Sequence, residues 1–338
     1  MSAAPPARPS LPTARQMLMV LVMVPVVIAL ALWAFAWPNA RIAPHDLPVG
    51  VAGPAAATAP LQQQLEHREG AFDVHRYADE SAARDAIGNR HVYGAVVVTP
   101  QGPKLLTASA AGPVVAQLLN DAVSRQAPPG TQLRTDDVVA APEADPRGSV
   151  LGSSALPLAL AGVAAGSLVT LLGLRGVRAA TALVGAAALV GLAAAAIADS
   201  WLGVLTGNWW AQAGALGLMA LAAGAAVAGF AALLGRAGIG VGALLVVLLG
   251  NPWSGVTSAP ELLPEPVGTI GQLLPPGAGG TLLRSVAFFD GSGAGTAIAT
   301  LGTWAVLGLL VVTLAGLRGR RTPAAAERHA APVPAPVS

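Results

Sequence analysis

The chain has 338 residues, 54% of them apolar and 11% charged, with a mean hydropathy of +0.62. That balance lies outside the soluble globular range and makes it a membrane protein by bulk chemistry. The net charge is only +2 and the Arg residues sit at the ends of apolar segments, so the pI near 9.6 reflects topology and argues against nucleic-acid binding. There is no Cys, which excludes disulfides, thiolate catalysis and Cys-based metal sites.

Residues 1–15, with Pro5, Pro6, Pro9, Pro12, Arg8 and Arg15, read as a disordered cytoplasmic tail. Residues 16–37 read as the first transmembrane helix, its apolar run extending from Met17 to Trp37. Ala34 and Ala36 imitate a signal-peptidase site, but about 20 apolar residues exceed the roughly 7 to 15 of a signal core, so the segment is read as a retained anchor. Trp33 and Trp37 then belong at the far interface.

Residues 38–149 are polar and read as an α/β domain. Leu47–Gly53 is a short strand, Ala56–Glu69 a helix, Phe72–Tyr77 a strand, and Asp79 caps a helix through Ala83 and Ile87. The β-branched run Val92–Thr99 is the strongest strand, turning through Pro100 and Gly102 into a partner at Lys104–Ser109. Val114–Val123 is helical, and Val138 with Val139 is expected to add an edge strand. Glu66, Glu69, Asp79, Glu80 and Asp85 alternate with Arg68, Arg76 and Arg84 as a solvated helical face.

Residues 150–317 read as a five-helix membrane domain. Its segments are Val150–Leu174, Ala179–Ala198, Ala211–Leu234, the short Ile239–Gly250, and Ala294–Leu317. The expected fold class is therefore an integral membrane α-helical bundle of about six transmembrane helices, with an extracytoplasmic α/β domain inserted between helices 1 and 2. With the N-terminus inside, Arg8, Arg15, Arg175, Arg178, Arg236, Arg318, Arg320, Arg321 and Arg328 all fall on the cytoplasmic side, where Glu327 is the only acid. Both termini are then cytoplasmic, with residues 318–338 as a second disordered tail. Gly162 and Gly166 form a GxxxG, a candidate helix-packing pair.

Signatures of catalysis are missing. The sequence has no GxxxxGK[ST], GxSxG or HExxH, and the Gly-rich runs at Gly238 and Gly291 do not follow a strand. His67, His75 and His91 fit no ligand spacing. The chain is accordingly read as no enzyme, with no cofactor and no metal. The apolar segments hold essentially no ionisable residue between their ends, which disfavours a carboxylate relay for protons or ions.

The most informative stretch is the Pro-rich segment 251–291. Pro252, Pro260, Pro264, Pro266, Pro275 and Pro276 forbid a regular span, while Leu262, Leu263, Ile270, Leu273, Leu274, Leu282, Leu283, Phe288 and Phe289 keep it apolar. It is expected to lie in the outer interface as short amphipathic helices that dip back into the protein. Pro252, Trp253, Pro264, Pro275, Pro276 and Arg284 are the candidate substrate or gate residues, with Glu261, Glu265 or Asp290 expected to pair with Arg284. A lid over the bundle is the plainer reading of the same residues.

The layout, with LPVGVAG at Leu47–Gly53, SAARDAIGNRHVYGAVVVTP at Ser81–Pro100, and NPWSG, APELLP, IGQLLPPGAG and LLR up to Arg284, resembles the permeases of type-2 ABC exporters. The branch it is most similar to includes the phage infection protein family, and the resemblance covers about residues 15–320. It implies a multi-pass bacterial plasma-membrane permease that moves a hydrophobic or peptide-like compound, acts as a homo- or heterodimer amid membrane lipid, and is driven by an ABC ATPase on a separate chain. The short loop Arg175–Arg178 departs from that family in lacking a coupling helix. The opposing reading is an envelope protein that transports nothing, whose outer domain binds a cell-wall component, a secreted factor or a phage.

Overall fold

The computed structural model describes residues 13–100, 102–126 and 134–319. The two expected tails therefore lie almost wholly outside the described residues, apart from Thr13–Arg15 and Arg318–Gly319, which are helical.

Helix α1, Thr13–Asn39, is followed by a five-stranded sheet whose strands are β1 (Leu47–Ala52), β2 (Phe72–Tyr77), β3 (Gly94–Thr99), β4 (Gly102–Thr107) and β5 (Arg134–Asp137). Their order is β2-β1-β3-β4-β5, with β1 parallel to β2 and β3, β3 antiparallel to β4, and β4 parallel to β5. Helices α2 (Ala55–Glu66) and α4 (Pro113–Gln126) cover one face, and α3 (Glu80–Gly88) covers the other. The period of two sorts the side chains: Leu47, Val49, Val96 and Leu105 pack toward α2 and α4, while Ala52, Ala95, Val97 and Leu106 pack toward α3. The carboxylate of Asp79 accepts from the backbone N–H of Ala82 and starts α3. The edge strand is Arg134–Asp137, not the expected Val138–Val139: Val138 extends the pairing through one bond to the Thr107 carbonyl (2.8 Å), and both valines then pack onto the α3-side core.

An ion-pair network ties three of these elements together. Glu80 on α3 accepts from Arg84 (2.7 Å) and from Lys104 on β4 (2.8 Å), and both cations also reach Asp136 on β5. The Lys104 ammonium and the Arg84 guanidinium hold the Glu80 carboxyl below its ordinary value, and Arg84 then Lys104 do the same for Asp136. Depressed carboxylate values stabilise the folded form above the unfolded values near 4 and stop doing so as pH falls through the folded ones. The sheet domain is therefore expected to melt at lower temperature below about pH 4 than at pH 7. Because the groups are substantially exposed, the loss is at most about 1 kcal/mol. Asp136→Asn at pH 7 should reproduce part of that drop and flatten the acid dependence; a variant with unchanged pH dependence would rule the network out as its source.

Among the described residues, five helices are long and apolar enough to cross a membrane: α1; α5 (Ser149–Leu171); α6 (Val177–Ala195), which runs on as a π-turn to Trp201; α7 (Trp209–Leu234); and α11 (Gly295–Gly319). Against the expectation of about six, the described residues hold five such helices and one shorter apolar one. Helix α8, Arg236–Ala243, continues as a π-turn to Gly250, and at roughly 22 Å it falls short of a hydrocarbon core about 30 Å thick. Asp199 lies inside the π-turn of α6, not beyond its helix.

Helix α7 is the centre of the bundle, and its sequence, rich in Ala and Gly, explains why. Gly162 and Gly166 on α5 lie against Ala220, Ala223, Gly224 and Val227 of α7. Gly191 on α6 lies against Ala213 and Gly217, Gly308 on α11 against Ala225, and Gly242 on α8 against Val227. Small residues on both sides let backbones touch, which supplies packing where lipid removes the hydrophobic drive. The GxxxG pair thus sits between two helices of one chain.

Helix α1 stands at the edge, exposed along most of its length. It is held at the sheet end by aromatic packing: Trp33 stacks on Trp37 at 5.7 Å and meets Trp253 edge-on at 6.0 Å, and the Trp253 indole N–H donates to the Ala34 carbonyl at 3.2 Å.

Candidate functional site

The segment from Asn251 to Asp290 forms a broken hairpin between the sheet and the bundle. Past Gly250 the chain has no regular structure until a 3₁₀ turn at Pro260–Leu262, then α9 (Val267–Gln272) and α10 (Pro275–Phe288). Pro275 and Pro276 open α10, where a missing N–H costs nothing. Its packing on α7 changes along its length: Gly279 lies against Met219, and Ala287 near the loop before α7, where the Thr206 hydroxyl donates to its carbonyl at 2.9 Å. Helix α10 therefore rises from the middle of the bundle to the sheet end. Protein covers this irregular backbone: Trp253, Leu262, Leu263, Pro264, Val267 and Leu274 are all buried.

This hairpin completes the sheet domain. Phe289 is buried in the α3-side core with Ile87 and Val92, and Ala259 and Leu262 are buried in the opposite core with Leu47 and Leu105. The backbone N–H groups of Ala43 and His45 donate to the carbonyls of Leu262 (3.1 Å) and Glu261 (2.8 Å). Two side chains from the sheet domain lock the joint. The Arg90 guanidinium donates to the Thr281 carbonyl at 3.1 Å and the Ser285 hydroxyl at 2.5 Å, and lies 5.3 Å from the Phe289 ring centre. The Tyr93 hydroxyl donates to the Glu261 carboxylate at 2.8 Å. Burial, followed by the neighbouring Glu261 charge, pushes the Tyr93 phenol above its ordinary value, so it stays a neutral donor. Burial pulls the Arg90 guanidinium down, opposed by Tyr93 and Glu261.

Beside this joint lies a cavity of about 470 Å³, walled by His45, Arg90, Tyr93, Glu261, Gln272, Thr281 and Arg284. Its exposed lining residues Asp46, Glu265, Thr269, Leu273 and Thr296 mark the open side. A smaller chamber of about 140 Å³ shares Arg90, Tyr93, Glu261 and Thr281 with it. The wall is braced by Gln272, whose amide donates to the Ser254 carbonyl (2.8 Å) and accepts from the Thr281 hydroxyl (2.7 Å).

Arg284 is 5% exposed and donates to the Val256 carbonyl at 3.0 Å. The expected pairing with Glu261, Glu265 or Asp290 is not found: none of the ion pairs among the described residues includes Arg284. Glu261 is turned to Tyr93, and Glu265 is exposed on the open side.

Of the other residues singled out from the sequence, Trp253 anchors α1, Pro264 is buried within the hairpin, and the Pro276 ring packs beside Gly250. Pro252 and Pro275 do not line the larger cavity either, so these residues shape the hairpin while Arg284 alone of them reaches that cavity. Sequence reasoning missed Arg90, Tyr93, His45, Gln272 and Thr281. A signal existed for two of them: Arg90 and Tyr93 flank the polar step into β3, and Tyr93 is one of two Tyr in the chain.

At the opposite end of the bundle a second concavity of about 380 Å³ is walled by the α5–α6 turn, the α7–α8 turn and the end of α11, with Arg175 and Arg236 exposed on it. These turns are short, Leu172–Gly176 and the single residue Gly235. No family model, curated protein or solved structure matches the chain.

Proposed function

We propose that the chain is the permease subunit of an exporter of the type-2 ABC kind, moving a hydrophobic or peptide-like compound across the plasma membrane with an ATPase on a separate chain. The observation that carries this reading is the hairpin 251–290, which is packed on the central helix α7 and also supplies core residues to the sheet domain. A shift of the bundle would reach the outer cavity through it without slack. The basic turns at Arg175, Arg178 and Arg236 support a cytoplasmic far end and an extracytoplasmic sheet domain, with α8 and its π-turn as the sixth, shortened crossing.

The chain has no Cys, so a single introduced thiol reports topology without background. A membrane-impermeant maleimide should label Glu69→Cys in intact cells and Arg178→Cys only after permeabilisation; the reverse pattern would overturn the orientation. Purification in mild detergent should recover a Walker-motif ATPase, and its repeated absence would sink the ATP-driven reading.

The second reading, an anchored envelope receptor, is favoured by one observation. Among the described residues no helix projects from the far end to engage an ATPase, since the turns there span five residues or fewer.

A further inference from the structure

Arg284, buried, and Arg90, half-buried, both reach the junction cavity, and among the described residues the only carboxylate in its buried or half-buried walls is Glu261, already bonded to Tyr93. The cluster therefore carries a net positive charge away from water. A buried cation with one neutral acceptor is costly unless an anion answers it. Arg284 lines the larger cavity with one hydrogen bond, to the Val256 carbonyl, and Nδ1 of His45 in the same wall is enclosed and has no partner. On the open side the charge changes sign, with Asp46 and Glu265 exposed there. Leu273 is 58% exposed at the same opening.

We propose that this cavity binds a zwitterionic head group, its phosphate or carboxylate oxygens on Arg284 and its cationic nitrogen beside Asp46 and Glu265. A volume of about 470 Å³ is within the range of small-ligand sites and suits a head group, with any acyl tail leaving over Leu273. The Arg fork gives the oxyanion two parallel donors, which a single ammonium would not. The acidic opening repels a bare polyanion and the pair Arg284 and Arg90 repels a bare cation, so selectivity rests on carrying both charges in order. The head group could belong to a membrane amphiphile or to a free solute; the chemistry at Arg284 is the same.

This inference stands apart from transport. Binding can fail while an ATPase still co-purifies, and can succeed with no ATPase present. The test titrates the full chain, in nanodiscs of anionic phosphatidylglycerol, with lysophosphatidylcholine, glycerophosphocholine, inorganic phosphate and choline. Both phosphocholine esters should bind at least about 30-fold more tightly than phosphate or choline. Tighter binding of the lyso form identifies a membrane amphiphile, and equal binding a free solute. Arg284→Gln should weaken the esters about 30-fold. Because that variant can misfold, Asp46→Asn with Glu265→Gln, both exposed, provides the second arm: it should narrow the preference for the ester over phosphate several-fold. No saturable binding of either ester, phosphate binding as tight as the esters, or an unchanged preference in the exposed variant overturns the proposal.

Discussion

Gly166→Leu is expected to prevent assembly of the bundle, while Gly185→Leu leaves it intact. A Cβ at Gly166 would strike the Gly224 carbonyl and lie 2.9 Å from the Val227 Cβ and 3.1 Å from the Ala228 nitrogen, so the obstruction is mostly backbone of α7 and cannot turn aside. A Cβ at Gly185 on α6 meets nothing within 4 Å. Overpacking a core that can adjust costs about 1 to 3 kcal/mol. Here two helices must separate, and the neighbouring Gly162 contact, where a Cβ would fall 2.6 Å from the Ala223 Cβ, is lost with them. The expected loss is therefore above about 3 kcal/mol, a large share of a stability of about 5 to 15 kcal/mol. Size-exclusion profiles and thermal melts in detergent read the outcome directly. Tolerance of both leucines would mean that α5 and α7 do not approach as described.

The membrane helices were legible because their apolar runs and terminal arginines are one-dimensional signals. Ser149–Leu171 and Trp209–Leu234 lie within three residues of the segments read from the sequence at either end. The sheet was legible for the same reason: β3 is a run of β-branched residues, and Asp79 announces α3. What could not be read is which segments meet. Nothing local in Phe289 distinguishes a membrane-facing aromatic from a core residue of a domain whose last strand ended some 150 residues earlier. Arg284 looked like one half of a salt bridge because three acids are near it in sequence. Its acceptor is a backbone carbonyl at Val256, and only the folded hairpin brings that group to it. The cavity likewise draws His45, Arg90 and Gln272 from distant parts of the chain, and no spacing rule connects them.

Phe289→Ala is expected to unseat the sheet domain while the bundle survives. The ring is 4% exposed among Ala83, Ile87, Val92 and Val97, so truncation leaves a cavity under α3 and costs about 3 to 5 kcal/mol. It also removes the aromatic face beneath Arg90, a contact of about 0.5 to 2 kcal/mol. The matching polar change, Arg90→Ala, abandons the Thr281 carbonyl and the Ser285 hydroxyl in a half-buried joint, at about 1 to 3 kcal/mol. Hydrogen exchange separates the outcomes. Phe289→Ala should raise exchange across Val92–Thr107 and α3 while α5 and α7 keep their protection, and Leu189→Ala, at a position 69% exposed, should change neither. Arg90→Ala should loosen α10 and β3 by a smaller amount. Because the two residues touch, their effects should not add, and the double variant should cost measurably less than the sum. If Phe289→Ala leaves the sheet fully protected, the domain folds without the hairpin, and motion of the bundle has no rigid route to the junction cavity.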